Sequence, residues 1–201
     1  MSSANSLAVE DLGSAAQRDR RKRILDATIA LASQGGFDAV QMRGVAEQAD
    51  VALGTLYRYF PSKIHLLVSA LQREFERSEA ALRDRPSDGD TAADRVINSL
   101  KRTTRGMQSD PQLTEALTRA FMFADGTVAA EIHQVGMLLT TMLTKAMYPE
   151  GHDQLTEEDV AIARVIGDVW LSALVGWVTG RSTAAETGQQ IEVAVRLLLR
   201  D

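Results

Sequence analysis

Three features of the chain predict an all-α fold. Apolar residues recur at i, i+3 and i+4 over long stretches, and no segment alternates with period two for long enough to build a sheet. The prolines (Pro61, Pro86, Pro111 and Pro149) stand where helices would stop or start. Between Gln41 and Lys63, QMRGVAEQADVALGTLYRYFPSK, two short helical patterns flank a tight turn and a proline closes the second. The expected architecture has nine helices. A three-helix head covers 14–61 and a larger helical body 62–201, after a patternless, disordered arm over 1–13.

The arm has no basic start followed by an apolar run, so it is not read as a signal peptide. Helix one is expected from about Ser14 to the Gly35-Gly36 stop, with Ile24, Ala27, Thr28 and Leu31 on its packing face. Phe37 is expected to plug the gap between helices one and two. Helix two is expected over 41–49 with Val45, Ala46 and Ala49 inward, then a turn at Asp50-Val51. Helix three is expected over 53–59. At 100° per residue Leu53, Leu56 and Phe60 point to one side of it, and Gly54, Thr55 and Arg58 to the other. Tyr57 and Tyr59 lie on its flanks. Such a pair of helices is a helix-turn-helix, whose second helix enters the DNA major groove. A glycine on the outward face lets backbone approach a duplex. Arg58 reaches base edges or phosphate, and the tyrosine hydroxyls and Lys63 reach phosphates.

Charge supports a DNA-facing head. The whole chain carries −5, yet residues 18–63 hold eight Lys or Arg against five acids, which leaves −8 on the rest. Arg18 and Arg20 to Arg23 form a run that reads either as a solvated face or as a phosphate clamp. The absence of cysteine excludes disulfides and thiolate metal sites and fits a reducing, cytoplasmic setting.

The wording of GTLYRYFPSK followed by HLL resembles the signature of the TetR family of bacterial one-component transcriptional regulators. Gly54, Thr55, Leu56, Tyr57, Tyr59, Phe60, Ser62, Lys63, Leu66 and Leu67 all match it. Longer runs, LTEALTRAFMFAD and ARVIGDVWLSALVGW among them, resemble a sterol-catabolism branch of that family. The resemblance implies a homodimeric repressor on double-stranded palindromic operator DNA, released by a sterol-derived acyl-coenzyme A thioester. It implies no resident cofactor. Control of fatty-acid or efflux genes through a different hydrophobic ligand is the competing reading. An arginine at the position of Arg43 often reaches a guanine in this family. The usual threonine pair before it is Gln41-Met42 here, which leaves Gln41 to meet a phosphate.

The body is expected to hold six helices. The first runs over 62–82 from a Ser62 cap, with a stripe of Ile64, Leu67, Val68, Leu71 and Phe75, and in the family it links head to body. A loop over 84–90 follows. Later helices are expected over 91–109, from Pro111, over 127–147, over 157–179 behind a Thr156 cap, and over 184–199. The 157–179 helix is apolar nearly all round and must be covered on every side. Arg164 and Asp168 interrupt it and argue against a membrane span. It is expected to pair with the 184–199 helix across a twofold axis, with Ala173 and Gly176 permitting close approach.

Met107, Phe121, Met122, Phe123, Met137, Met142, Trp170, Leu174 and Trp177 supply the adaptable apolar surface expected of a ligand pocket. Arg102, Arg105, Arg119 and Lys145 are candidates for its polar end. His65, His133 and His152 form no metal-spaced pair, and no nucleophile elbow, phosphate loop or dinucleotide fingerprint is present. Neither a catalytic nor a metal site is expected.

Overall fold

Nine α-helices and one 3-10 turn make up the described residues of the computed structural model: 2–84, 88–148 and 155–200, with 2–14 and 82–84 described by backbone alone. In order they are α1 (Ser2–Ala39), α2 (Met42–Gln48), α3 (Leu53–Tyr59), α4 (Lys63–Asp84), α5 (Ala92–Gln108), α6 (Pro111–Met122), the 3-10 turn Gly126–Val128, α7 (Ala129–Met147), α8 (Glu157–Val178) and α9 (Ala184–Leu198). There is no strand among these residues, so the all-α expectation holds.

Helical backbone runs back to Ser2, through residues expected to form an arm without structure. Ala, Leu and Glu in that stretch are good helix formers and no proline interrupts them, so propensity alone permits the extension. The expected glycine stop is present: Gly36 has φ 64°, a left-handed conformation that costs a residue with a Cβ about 1 kcal/mol or more. Pro86 and Pro149 lie outside the described residues.

Local chemistry sets most other ends. Thr91, Asp110, Asp125, Thr156 and Thr183 accept backbone N–H bonds at the starts of α5, α6, the 3-10 turn, α8 and α9. Thr156–Asp159 and Thr183–Glu186 are complete capping boxes. Ser62 Oγ accepts the His65 N–H at 3.3 Å and opens α4.

One apolar core runs through head and body. Ile24, Leu25, Val45, Leu56, Leu66 and Leu67 fill the head, and Val68, Leu100, Leu143, Ile166 and Val195 continue it through the body. The α4 helix belongs to both halves. The most extensive helix contact among the described residues is α1 on α6, which seats the head on the body. At the far end Lys101 pairs with Glu192 at 2.8 Å and Arg196 with Asp94 at 3.2 Å, tying α9 to α5.

Among the described residues α8 alone has the length and hydropathy of a bilayer span. It packs on α7 and α9 instead. Its other face presents Ala161, Val165 and Ser172 outward, with Arg164 and Asp168, and Val193 and Leu197 of α9 are also exposed. Ala173 and Gly176 do not open that face for close approach. Ala173 is buried within its own chain, and a Cβ on Gly176 would meet Ser182 Oγ of the α8–α9 turn at 2.7 Å.

Candidate nucleic-acid interface and ligand cavity

The helix-turn-helix is held from below. Val45 and Ala46 of α2, Ala49 at its end, and Leu56 and Phe60 around α3 are buried in the core they share with α1. Asp50 makes the turn with φ 51°, a left-handed conformation that Asp tolerates better than most residues. Arg23 completes it. Its Nη1 donates to the carbonyls of Ala49 at 2.6 Å and Asp50 at 3.3 Å, satisfying acceptors left open by the end of α2. So one member of the basic run has a structural task that its composition did not reveal. Arg21 lies over the Phe60 ring at 5.6 Å, and Lys22 pairs with Asp26 at 3.4 Å.

On the opposite side of the unit, Gln41, Arg43, Gly54, Tyr57 and Arg58 are exposed, and Thr55 and Tyr59 half-buried. A Cβ built on Gly54 would meet nothing within 4 Å. Arg58 lies 6.0 Å from the Tyr59 ring centre. The Gln41 amide donates back to the Asp38 carbonyl at 2.9 Å, so a phosphate contact requires that bond to open. Lys63 is turned away from this face. Its ammonium stands 3.9 Å over the Phe37 ring, and burial, opposed by nearby Asp38, holds its pKa below the ordinary lysine value. Phe37 itself lies in the seam between head and body, with Arg119 at 4.5 Å, and not simply between helices one and two.

Two adjoining cavities lie in the body. The first, about 700 Å³ with the solvent at its mouth, is lined by α4, α5, α6, α7 and α8 and includes Phe75, Met107, Phe121, Val135, Trp170 and Leu174. The second, about 850 Å³ on the same basis, is bounded by α4, α5 and α6 and includes Glu74, Ser78, Arg102, Asp110, Leu113 and Leu117. Leu71, Phe75 and Met107 line both and form the partition. Trp170 is fixed there. Its Nε1 donates to Thr104 Oγ1 at 2.8 Å, and its ring meets Phe75 edge-on at 5.8 Å.

Of the nine residues expected to line a pocket, Met107, Phe121, Trp170 and Leu174 do so. Met122, Phe123 and Met137 are exposed by 54%, 63% and 48%. Met122 and Phe123 sit where α6 ends and turns outward, and Met137 lies about 100° around α7 from the cavity-lining Gly136. Met142 is buried in the core, with Thr103 Oγ1 on its sulfur at 3.9 Å. Trp177 shares a face with Trp170 but lies about 10 Å further along the helix and lines neither cavity. Of the four basic candidates Arg102 lines the second cavity, whereas Arg105 faces α9, Arg119 pairs with Asp38 and Lys145 with Glu79. Arg164 and Asp168, noted in the sequence only as interruptions, stand at the mouth of the first cavity. Among the described residues no cluster of His, Asp or Glu is arranged to hold a metal ion.

Residues 24–70 match the family described as bacterial regulatory proteins, tetR family, and 89–198 match the tetracyclin repressor-like C-terminal domain. The HTH-type transcriptional repressor KstR of Rhodococcus jostii (strain RHA1) is 57% identical over 198 residues, 98% of this chain and 91% of that protein. The chain belongs to the TetR family. It is a helix-turn-helix repressor of that family, not an enzyme. KstR of Mycobacterium tuberculosis is 53% identical over 195 residues, 97% of this TetR-family chain and 87% of the relative. A crystal structure of a TetR transcriptional regulator from Rhodococcus sp. RHA1 superposes with a TM-score of 0.85 at 32% identity, covering 92% of this chain and 98% of that one. Thermus thermophilus FadR, solved in complex with lauroyl-CoA, shares the fold at a TM-score of 0.69 and 20% identity, covering 89% and 93%.

Proposed function

We propose that this protein is a cytoplasmic, dimeric repressor of sterol-degradation genes that leaves its operator when a sterol-derived acyl-coenzyme A thioester fills the body. The single observation behind the ligand part is the pair of cavities sharing Leu71, Phe75 and Met107. One chamber is apolar and stiffened by the fixed Trp170. The other has Arg102, Glu74 and Asp110 on its walls. A rigid ring system fits the first, and a polar thioester tail leaves through the second past Arg102. Met107, in the partition, has the side-chain freedom to open the passage. The extended likeness to the relatives named KstR agrees with this class of regulon.

The DNA part rests on the exposed face of Arg43, Gly54, Tyr57 and Arg58, with α3 inserting into the major groove. Two copies would pair through the outward faces of α8 and α9 and present their heads about one DNA turn, roughly 34 Å, apart on a palindromic site. Ligand binds better to the body whose heads are mis-spaced, so ligand and operator oppose each other by linkage.

Fluorescence anisotropy with a palindromic duplex selected by the protein from a random pool tests both parts. Affinity falling steeply with salt, and release by a steroid side-chain acyl-CoA at micromolar concentration, are expected. Release by long-chain fatty acyl-CoA but not by the steroid thioester would assign the protein to a fatty-acid regulon instead. Failure to bind any duplex would reject the regulatory assignment.

A further inference from the structure

We propose that Glu115 of α6 is the residue that positions the DNA-reading head, and that displacement of α6 by a bound ligand releases the head through it. The proposal rests on the ligand-responsive reading above and adds the element that carries the response.

The head meets the body along two seams: Arg73 of α4 reaches Asp26 at 2.8 Å and the Lys22 carbonyl at 3.3 Å, and residues 33–38, where α1 breaks, meet α6, which with its cap Asp110 supplies the hydrogen bonds and ion pairs described there. Ser33 Oγ donates to Asp110 Oδ2 at 2.5 Å. Glu115 Oε2 accepts the Phe37 backbone N–H at 2.8 Å. Arg119 Nη1 lies 3.3 Å from Asp38 Oδ2 and 3.5 Å from Glu115 Oε1, and its guanidinium covers the Phe37 ring. The first residue of α4 joins the cluster through Lys63 on the same ring.

These contacts differ in worth. Arg119–Asp38 is an exposed ion pair, Asp38 being 80% accessible, and such pairs contribute little. The Glu115 bond is charge-assisted and directional, and it holds a backbone amide of the residue that follows the break in α1. Its seat is shaped to fit. A Cβ on Gly36 would lie 2.7 Å from Glu115 Oε2 and 2.9 Å from Gln112 Oε1, so glycine alone leaves room for the carboxylate.

The opposite face of α6 is the cavity wall. Leu113, Leu117 and Phe121 lie about 160° to 240° around the helix from Glu115. Leu113 and Leu117 line the second cavity, and Phe121 the first. The helix therefore has ligand space on one side and the head on the other, and it moves as one rod. A hydrogen bond at 2.8 Å is lost when its partners part by about 0.8 Å. A shift of α6 of about that size breaks this bond and loosens the head at its α6 seam, while the Arg73–Asp26 pair of α4 stays in place.

The test uses the absence of native cysteine. Nitroxides are placed at Glu47→Cys in the head and Asp90→Cys in the body, both exposed positions. The labelled chain is diluted into unlabelled protein so that the distance within one chain is read. A narrow distribution is expected for the parent. Glu115→Ala is expected to broaden it at least twofold without ligand and to weaken binding to the parent-selected duplex by tenfold or more. Glu115→Gln keeps an acceptor for the Phe37 N–H and is expected to restore both within threefold. Affinity of DNA-free protein for a steroid side-chain acyl-CoA is expected to rise in Glu115→Ala, where the ligand no longer has to break the Glu115 bond, and to stay within threefold of the parent in Glu115→Gln. A Glu115→Ala protein with parental distances and parental duplex affinity overturns the proposal, even if its melting temperature drops. So does a Gln variant that fails to restore the distances. A parent that binds no duplex would instead reject the regulatory assignment, while the distances would still report on Glu115.

Discussion

Replacing Gly54 by Ala separates the stability of α3 from its service as a DNA-reading surface, because the two should change in opposite directions. Gly54 lies within α3, its φ is not positive, and an added Cβ would meet nothing within 4 Å. In the free protein the methyl group is therefore unopposed. It removes backbone freedom from the unfolded chain, an effect of about 0.5–1 kcal/mol in a helix interior. Gly54 is in the first turn, so the lower end of that range applies, and a gain of about 0.5 kcal/mol raises the melting temperature of a chain this size by about 1–2 °C. On DNA the same methyl stands on the exposed face between backbone and duplex. Overfilling a close-packed contact costs about 1–3 kcal/mol, or roughly 5- to 150-fold in affinity. Thermal denaturation and anisotropy titration on a selected duplex read the two quantities separately. Unchanged or tighter binding by Gly54→Ala would show that this face does not approach DNA. A fall in melting temperature would show that the space around Gly54 is not open.

Other substitutions divide the remaining roles. Tyr59→Phe should weaken binding to selected and scrambled duplexes alike, whereas Arg43→Ala should also narrow the difference between them; equal ratios in both would reject the division. Arg23→Ala leaves the Ala49 carbonyl without its 2.6 Å donor and should cost about 1–2 kcal/mol in a denaturant titration, with stability unchanged if water replaces the guanidinium fully. Trp170→Phe leaves Thr104 Oγ1 without its donor and enlarges the first cavity. It should cost about 1–3 kcal/mol and alter acyl-CoA affinity by calorimetry, and parental values for both would remove Trp170 from the ligand wall.

Acid should loosen the helix starts. Hydrogen bonds from Thr91 to Asp94, from Thr127 to Asp125 and from the Thr183 N–H to Glu186 hold these carboxyls below their ordinary pKa values. The stability they confer is complete above the usual carboxylate range, near pH 4–5, and is lost as pH falls through the lower folded-state values. Denaturant midpoints at pH 6, 4.5 and 3 should decline in that order, and Glu186→Gln should flatten part of the decline.

Much of the fold could be read locally. The starts of α3, α6, α8 and α9 depend on neighbouring residues: Pro111, the Thr156 box, and the spacing of Leu56 and Phe60. The turn at Asp50 and the stop at Gly36 are likewise encoded within a few positions. The exposed side of α3 followed from the same periodicity, since α3 has one buried side and its remainder must face outward. Lys63 did not follow, because its choice between solvent and the Phe37 ring is decided by where α6 sets Arg119 and Glu115 against Phe37 and Asp38 of α1.

The sequence by itself determined the nine helices among the described residues, a helix-turn-helix near 41–59 and its open face, because caps, glycines and a 3.6-residue period act over one or two turns. Tertiary structure alone decided which apolar side chains enclose space. Trp170 and Trp177 share a stripe, but only Trp170 lines the first cavity. Met107 and Met142 have the same side chain, but one forms the partition and the other fills the core. A helical stripe specifies direction around an axis; whether a neighbour lies there depends on how far along the rod the next helix crosses.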